Sequence, residues 1–444
     1  MSQPLPPTSV SELYALYQAH PLVSIDSRQL PPQCLFFALR GERFDGNAYA
    51  AAALAGGAAY AIVDDAAVAA ALGPQRCRYV KNSQEALQAL ANHHRQQLRL
   101  PVLAITGSNG KTTTKELIAS VMAQHYRVHY TPGNYNNHLG VPLTLLQIGA
   151  DIEMAIIEMG ANHQREIAAL CRIAEPTHGL ITNIGEAHLE GFGGLEGVKI
   201  GKGELYDYLA ANGGVAFVNL DAEYLPTMAE RVPRRINYLA SAAPNKAIPA
   251  METQLLALVP NVKVGLYEAE TLITAQTQLP GHHNFENIKA AVAVGKYFKV
   301  PAASIVAGLE AYQPQNNRSE RQEYRGVAFF LDAYNANPSS TEAALRAFAA
   351  LGEPPRAVVL GEMLELGTAG PAAHHRIAAL ARGLGFEQLL LVGAAYAPAA
   401  EALSCPYFVD VVALRTWFWA QDWQGYTIMV KGSRGVKLEQ LLQV

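Results

Sequence analysis

Short apolar runs recur along this chain, each closing on a polar or glycine-rich turn. Val102–Thr106 is apolar up to its last residue, and a helix-forming run follows from Lys111. Met154–Met159, Gly179–Ile184 and Val215–Leu220 repeat the pattern with amphipathic stretches between them. Strands alternating with helices in this way predict βαβ units and a parallel sheet. The alternation returns at Ala328–Leu331, Ala357–Leu360, Gln388–Val392 and Thr427–Val430, predicting a second parallel α/β sheet. Ahead of both, strands at Leu22–Asp26, Leu35–Leu39 and Ala59–Val63, with a helix at Ala48–Leu54, predict a small α/β unit. Asn82-Ser83 opens a helix over Gln84–Gln97, and His283 opens one running to about Phe298. The polar stretch Pro314–Arg325 reads as a linker.

The expected fold class is therefore α/β in three domains. Residues 1–84 form a small N-terminal α/β domain, 85–312 a central P-loop parallel-sheet ATPase domain, and 313–444 a C-terminal Rossmann-like α/β domain. A length of 444 residues agrees with about three domains of roughly 150 residues.

Composition removes some functions. Net charge is −4 with no basic block, which argues against nucleic acid or a polybasic membrane contact. Cys34, Cys77, Cys171 and Cys405 are scattered, so neither a zinc knuckle nor a disulfide frame is expected, and a reducing compartment is. The start, Met1-Ser-Gln-Pro-Leu-Pro-Pro, has no basic or apolar segment and is not read as a signal peptide. The most apolar run, Ala48–Val63, is alanine and glycine and ends in Asp64-Asp65, which suits a packed element better than a membrane span.

The chemistry centres on Gly107-Ser108-Asn109-Gly110-Lys111-Thr112-Thr113. Two glycines let the backbone curl, and the amides of the turn and the helix N-terminus then favour an anion. Lys111 adds a mobile positive charge for phosphate, and the Thr112 hydroxyl is placed for Mg²⁺. The pattern is a shortened Walker A, because Ile105 stands where the usual first glycine falls. Ligands of parallel sheets gather at the carboxyl ends of strands. Glu158 ends one such strand, and a carboxylate there would hold a hard cation with Thr112. Asn183 and His188 follow another; His188 by itself reads equally as a loop histidine or a ligand. Lys199, Lys202 and Tyr206 share one helix face, where lysines are usually solvated. Asn284 and Asn287 offer amides for an adenine edge, or a helix cap. Asp332, at a strand end, would suit a ribose hydroxyl. Pro338 pre-sets a helix start. In the first unit, Asp26-Ser27-Arg28 supplies a hydroxyl and a guanidinium, suited to a diphosphate or simply to a turn.

Together these residues resemble the ATP-dependent Mur ligases of peptidoglycan synthesis, over nearly the whole chain. The match rests on the Gly107–Thr113 loop, Glu158, His188 and Lys202-Gly-Glu-Leu-Tyr206. It extends through Thr131-Pro-Gly-Asn-Tyr-Asn-Asn137, Tyr334-Asn-Ala-Asn-Pro338, Gly361-Glu-Met-Leu-Glu-Leu-Gly367 and Lys431-Gly-Ser-Arg434. These stretches favour the members that join D-Ala-D-Ala to UDP-MurNAc-tripeptide; no Asp-Asn-Pro-Arg motif, the mark of the member adding the third amino acid, is present. The resemblance implies ATP and Mg²⁺ as cofactors and an acyl-phosphate route. It implies Lys111, Glu158, His188 and Lys202 as catalytic residues. Thr112, Glu158, His188 and a carbamylated Lys202 would be the metal ligands. Asn287, Arg318, Asp332 and Tyr334 would surround the adenosine. Ser27, Arg28 and Asp45 would meet the uridine diphosphate, and Asn134, Asn136 and Asn137 the substrate. It also implies a cytoplasmic enzyme, a monomer, with no nucleic-acid or membrane partner. Gln33 stands where the family commonly has glycine, and Gly201 beside Lys202 is a second departure. The competing readings are a sister ligase using another amino acid and a non-ligase ATPase or nucleotide-gated binding protein on the same scaffold.

Overall fold

The computed structural model describes residues 5–241, 250–268, 271–315, 317–352 and 355–443. Residues 1–4 of the N-terminal stretch and residue 316 of the expected linker lie outside that set. The chain forms two compact units. The first comprises Met1–Ala104, Tyr126–Gly160 and Glu166–His178; the second comprises Ile105–His125, Ala161–Arg165 and Gly179–Val444.

In the first unit, Val23–Ser24, Leu35–Phe37, Tyr60–Val63 and Cys77–Tyr79 pair in that order as a parallel four-stranded sheet. Phe36, Ala38, Ala61 and Val63 bury one face against Ala50, Ala53 and Leu54 of the helix Ala50–Ala55. Helix Ser83–Gln97 begins where its cap predicts: the Asn82 side chain accepts from the Gln84 and Glu85 amides. Near its far end Arg95, almost fully buried, donates to the carbonyls of Ala174 at 2.9 Å and Glu175 at 3.0 Å. That satisfies the C-terminal end of helix Glu166–Ala174. Strands Val128–Tyr130 and Met154–Glu158 run parallel in the same unit.

Gln33 is left-handed, with φ 57°. The turn before Leu35 thus demands the conformation that glycine adopts freely, and Gln33 supplies it at a cost. Its amide is fastened to the Gly57 carbonyl at 3.0 Å.

In the second unit, Val215–Asn219, Arg234–Ala240 and Ala250–Ala257 run parallel. Lys263–Glu268 and Thr271–Gln276 then add two antiparallel strands that the apolar pattern did not predict. A six-stranded sheet follows, ordered Glu320–Tyr324, Val327–Asp332, Thr427–Lys431, Arg356–Gly361, Gln388–Val392 and Tyr407–Phe408. It is parallel except at Glu320–Tyr324, which pairs antiparallel at the edge. Part of the expected linker is therefore a strand, and its Glu-Arg-Gln-Glu-Tyr sequence shows why it read otherwise: edge strands carry charge. Both faces of this sheet are buried, Val358 and Leu360 in one core and Ala357 and Val359 in the other. Helix Pro338–Ala350 starts with proline in its first turn, and Asn337 closes a capping box with Ser340.

Candidate active site

The phosphate loop lies between the buried strand Val102–Thr106 and helix Lys111–Met122. Gly107 has φ 141° and Gly110 φ 77°, both open to glycine and strained for other residues. Space forbids a side chain as well: a Cβ on Gly107 would strike Thr182, and one on Gly110 would strike the Asn287 amide. The next strand end fastens the loop. Asn183 Oδ1 accepts from the Asn109 amide at 3.0 Å, and Asn183 Nδ2 donates to the Asn109 carbonyl at 3.0 Å. The Thr182 hydroxyl donates to that carbonyl at 2.6 Å. Ser108 Oγ donates to the Gly185 carbonyl at 3.1 Å and accepts from the Gly185 amide at 2.9 Å. Lys111 Nζ reaches back over the loop to the carbonyls of Gly107 at 2.7 Å and Ser108 at 3.1 Å. Thr112 is buried and Thr113 half-buried in the first helical turn.

The C-terminal sheet meets this loop. Asn337 Nδ2 donates to Asn109 Oδ1 at 2.7 Å, and Asn109 Nδ2 donates to Ser339 Oγ at 2.9 Å. Asn109 therefore has its backbone held by one strand end and its side chain by the start of helix Pro338–Ala350.

Glu158, in the first unit, is 1 % exposed; its amide donates to Thr131 Oγ1 at 2.9 Å, and its Oε1 accepts from Asn136 Nδ2 at 2.8 Å. Asn136, expected at the substrate, is thus a partner of Glu158. Asn137 Oδ1 accepts from the Leu139 and Gly140 amides at the start of helix Gly140–Leu145, whose N-cap is Leu139, and Asn134 is exposed. In the second unit, His188 is left-handed with φ 52°, and its Nδ1 is bonded to the Glu365 carboxylate. Lys202 is 1 % exposed rather than solvated. Its ammonium donates to the Ala161 carbonyl at 3.0 Å and sits 4.9 Å from the centre of the Phe192 ring. Gly201 explains itself here, since a Cβ would drive into that ring. Lys199 pairs with Glu196 at 2.7 Å and lies over Tyr224. Among the described residues no three His, Cys, Asp or Glu side chains gather as a ready-made metal cage.

The expected adenosine residues occupy two surroundings. Asn287 accepts from the Thr114 hydroxyl at 3.0 Å and donates to Asn284 Oδ1 at 3.2 Å. Asn284 does not cap the helix, whose N-cap is Gly281; it donates to the Pro280 carbonyl from inside the first turn. Arg318 stacks on Tyr334 at 3.6 Å, with Arg434 on the same ring at 5.0 Å. Asp332 Oδ2 is paired with the buried Lys431 ammonium at 2.6 Å. His283 has its Nδ1 sealed from solvent, and burial pushes its pKa down to about 4 despite the nearby Asp332 carboxylate.

In the first unit Arg28 is exposed and paired with Asp26 at 2.8 Å, beside the half-buried Ser27. The Arg28 bonds hold the Asp26 carboxyl down at about 2. Asp45 accepts from the Asn47 amide at 2.9 Å. Sequence reasoning left Thr182, Asn183, Asn337, Ser339, Glu365 and Lys431 without individual roles. All lie in strand-end or helix-start stretches, which was the signal available.

Three domains of the Mur ligase family match the chain. "Mur ligase family, catalytic domain" matches residues 21–95, "Mur ligase middle domain" residues 105–295, and "Mur ligase, glutamate ligase domain" residues 317–434. The chain is 35 % identical to the UDP-N-acetylmuramoyl-tripeptide--D-alanyl-D-alanine ligase of Escherichia coli, over 95 % of this chain and 92 % of that one. It is 32 % identical to the ligase of the same name from Bacillus subtilis, again over 95 % and 92 %. A crystal structure of MurF from Acinetobacter baumannii superposes with a TM-score of 0.85 at 29 % identity, covering 99 % of this chain and 98 % of that one.

Proposed function

The chain belongs to the Mur ligase family, and from that premise we propose how its residues work as a UDP-N-acetylmuramoyl-tripeptide--D-alanyl-D-alanine ligase. It joins D-alanyl-D-alanine to the terminal carboxylate of UDP-MurNAc-tripeptide with ATP, and the product enters peptidoglycan synthesis. The single observation that carries this is similarity along nearly the whole chain to ligases of that one name. The domain boundaries proposed are 84/85 and 312/313.

A carboxylate is a poor acyl donor because its oxygen cannot leave. Transfer of the γ-phosphoryl of ATP to a tripeptide carboxylate oxygen breaks the bond to the β–γ bridging oxygen and releases ADP. The dipeptide amine then attacks the acyl carbon, loses a proton, and phosphate departs. Both steps gather anions, so catalysis consists mainly of positioning and charge neutralisation. The loop amides and Lys111 hold the β- and γ-phosphates. Asn287, Arg318, Asp332 and Tyr334 hold the adenosine. Ser27, Arg28 and Asp45 hold the uridine diphosphate, with Asn134, Asn136 and Asn137 serving the substrate.

Mg²⁺ supplies charge neutralisation on the phosphoryl oxygens. The donors fit it: Thr112 offers a hydroxyl, and a carboxylate as buried as Glu158 suits a hard cation. His188 offers a ring nitrogen. Lys202 is buried as an ammonium, which repels metal; reaction of its free amine with CO₂, with loss of a proton, gives a carbamate whose oxygens can ligate. We place the enzyme in the cytoplasm, as a monomer. Cys34, Cys77, Cys171 and Cys405 are buried and none is in a disulfide among the described residues, which agrees with a reducing compartment. Among the described residues no helix is long and apolar enough to cross a membrane.

Mass analysis of products tests the specificity. With ATP, Mg²⁺ and UDP-MurNAc-tripeptide, D-Ala-D-Ala gives a product heavier by one dipeptide less water, and single amino acids give none. A product with a single amino acid and none with the dipeptide contradicts the reading.

A further inference from the structure

The stretch Gly361–Gly367 has so far no part in the chemistry, yet it is built to present one side chain. Glu362 Oε2 accepts from the Ala395 amide at 3.1 Å, the Met363 amide donates to His374 Nε2 at 2.9 Å, and the Leu364 amide donates to Ser433 Oγ at 2.9 Å. A segment fastened at three successive residues is a rigid platform. The next residue, Glu365, is left-handed with φ 65°, and its carboxylate meets His188 Nδ1. His188 is left-handed too, at φ 52°. Two non-glycine residues in a costly conformation thus face each other across a charge-assisted hydrogen bond. The two loops are also joined beside it: the Glu190 amide reaches the Glu365 carbonyl at 3.5 Å, and Glu186 pairs with Arg376.

We propose that Glu365 is the positioning residue for His188: its carboxylate takes the Nδ1–H, fixes that tautomer and ring orientation, and leaves the Nε2 lone pair for a ligand. A ring nitrogen that binds metal needs its lone pair free, and the hydrogen bond at the other nitrogen decides which one that is. The carboxylate comes from the C-terminal sheet and the imidazole from the strand-end loop next to the phosphate loop. Glu365 therefore ties the last α/β layer to the chemistry. With its side chain 54 % exposed, its worth lies in orientation rather than in stability. The inference rests on the reading of His188 as a metal ligand.

The experiment uses the full chain labelled with ¹⁵N-histidine, and Mn²⁺ in the presence of ADP as the metal probe. In the wild type His188 is the Nδ1–H tautomer. Glu365→Ala moves it toward Nε2–H and weakens Mn²⁺ binding about tenfold. Glu365→Gln, which keeps an acceptor oxygen, recovers the tautomer and most of the affinity. If Glu365→Ala changes neither tautomer nor Mn²⁺ affinity while His188→Ala weakens Mn²⁺ binding, the positioning role is wrong and the ligand reading stands. If His188→Ala leaves Mn²⁺ affinity unchanged, the ligand reading falls and takes this proposal with it.

Discussion

The side-chain amide of Asn183 grips the backbone of Asn109 at both ends, accepting from its N–H and donating to its C=O, each at 3.0 Å. One planar amide thus fixes one residue of the phosphate loop, next to the left-handed Gly110 that aims the helix amides. Pre-organisation of this kind spares the loop from ordering itself when nucleotide arrives.

Replacing that amide by an isosteric apolar group tests the point. Asn183→Leu removes both bonds, a loss of about 1–3 kcal/mol. We expect ADP affinity to fall by about tenfold or more, measured by calorimetry, with the fold retained. Unchanged affinity would mean the loop is pre-formed without this clamp.

Gln33 makes an opposite prediction. Its left-handed backbone costs about 1–2 kcal/mol relative to glycine, partly offset by the extra freedom glycine brings to the unfolded chain. Gln33→Gly is therefore expected to stabilise the protein by up to about 1 kcal/mol in urea denaturation. A loss of stability would show that the Gln33 side chain matters more than its backbone.

His283 predicts a pH dependence. Its folded pKa lies near 4, below the ordinary histidine value of about 6.5. Between those values the unfolded chain takes up a proton that the native imidazole refuses. The contribution is complete above about pH 6.5 and is lost progressively as pH falls toward 4. From pH 7 to pH 5 the wild type is expected to lose about 1–2 kcal/mol more than His283→Gln. Denaturation curves of the two proteins at both pH values check this, and parallel losses would refute it.

The proposed carbamate on Lys202 is tested by removing the amine. Lys202→Ala is expected to lower ligase activity by at least about 100-fold, and a short carboxylic acid in the buffer to restore part of it. Full activity in the variant without any additive would rule the carbamate out.

Much of this was legible in the sequence because it depends on neighbours. Strands Val102–Thr106 and Gln388–Val392 lie where their apolar runs put them, and Gly107 and Gly110 have the backbone their spacing implies. Long-range pairings were not legible. His188 and Glu365 are 177 residues apart, and no local pattern links them. The bond from the Thr114 hydroxyl to the Asn287 amide oxygen spans 173 residues and is equally invisible to local pattern. The strand Thr271–Gln276 escaped because it is mostly exposed, leaving little apolar alternation to detect.

The central claim is that ATP is consumed to join two substrates. The most direct measurement is phosphate release by the purified protein with ATP and Mg²⁺, adding UDP-MurNAc-tripeptide and D-Ala-D-Ala separately and together. Release that requires both is the predicted result. Release indifferent to both would leave the fold standing and contradict the function.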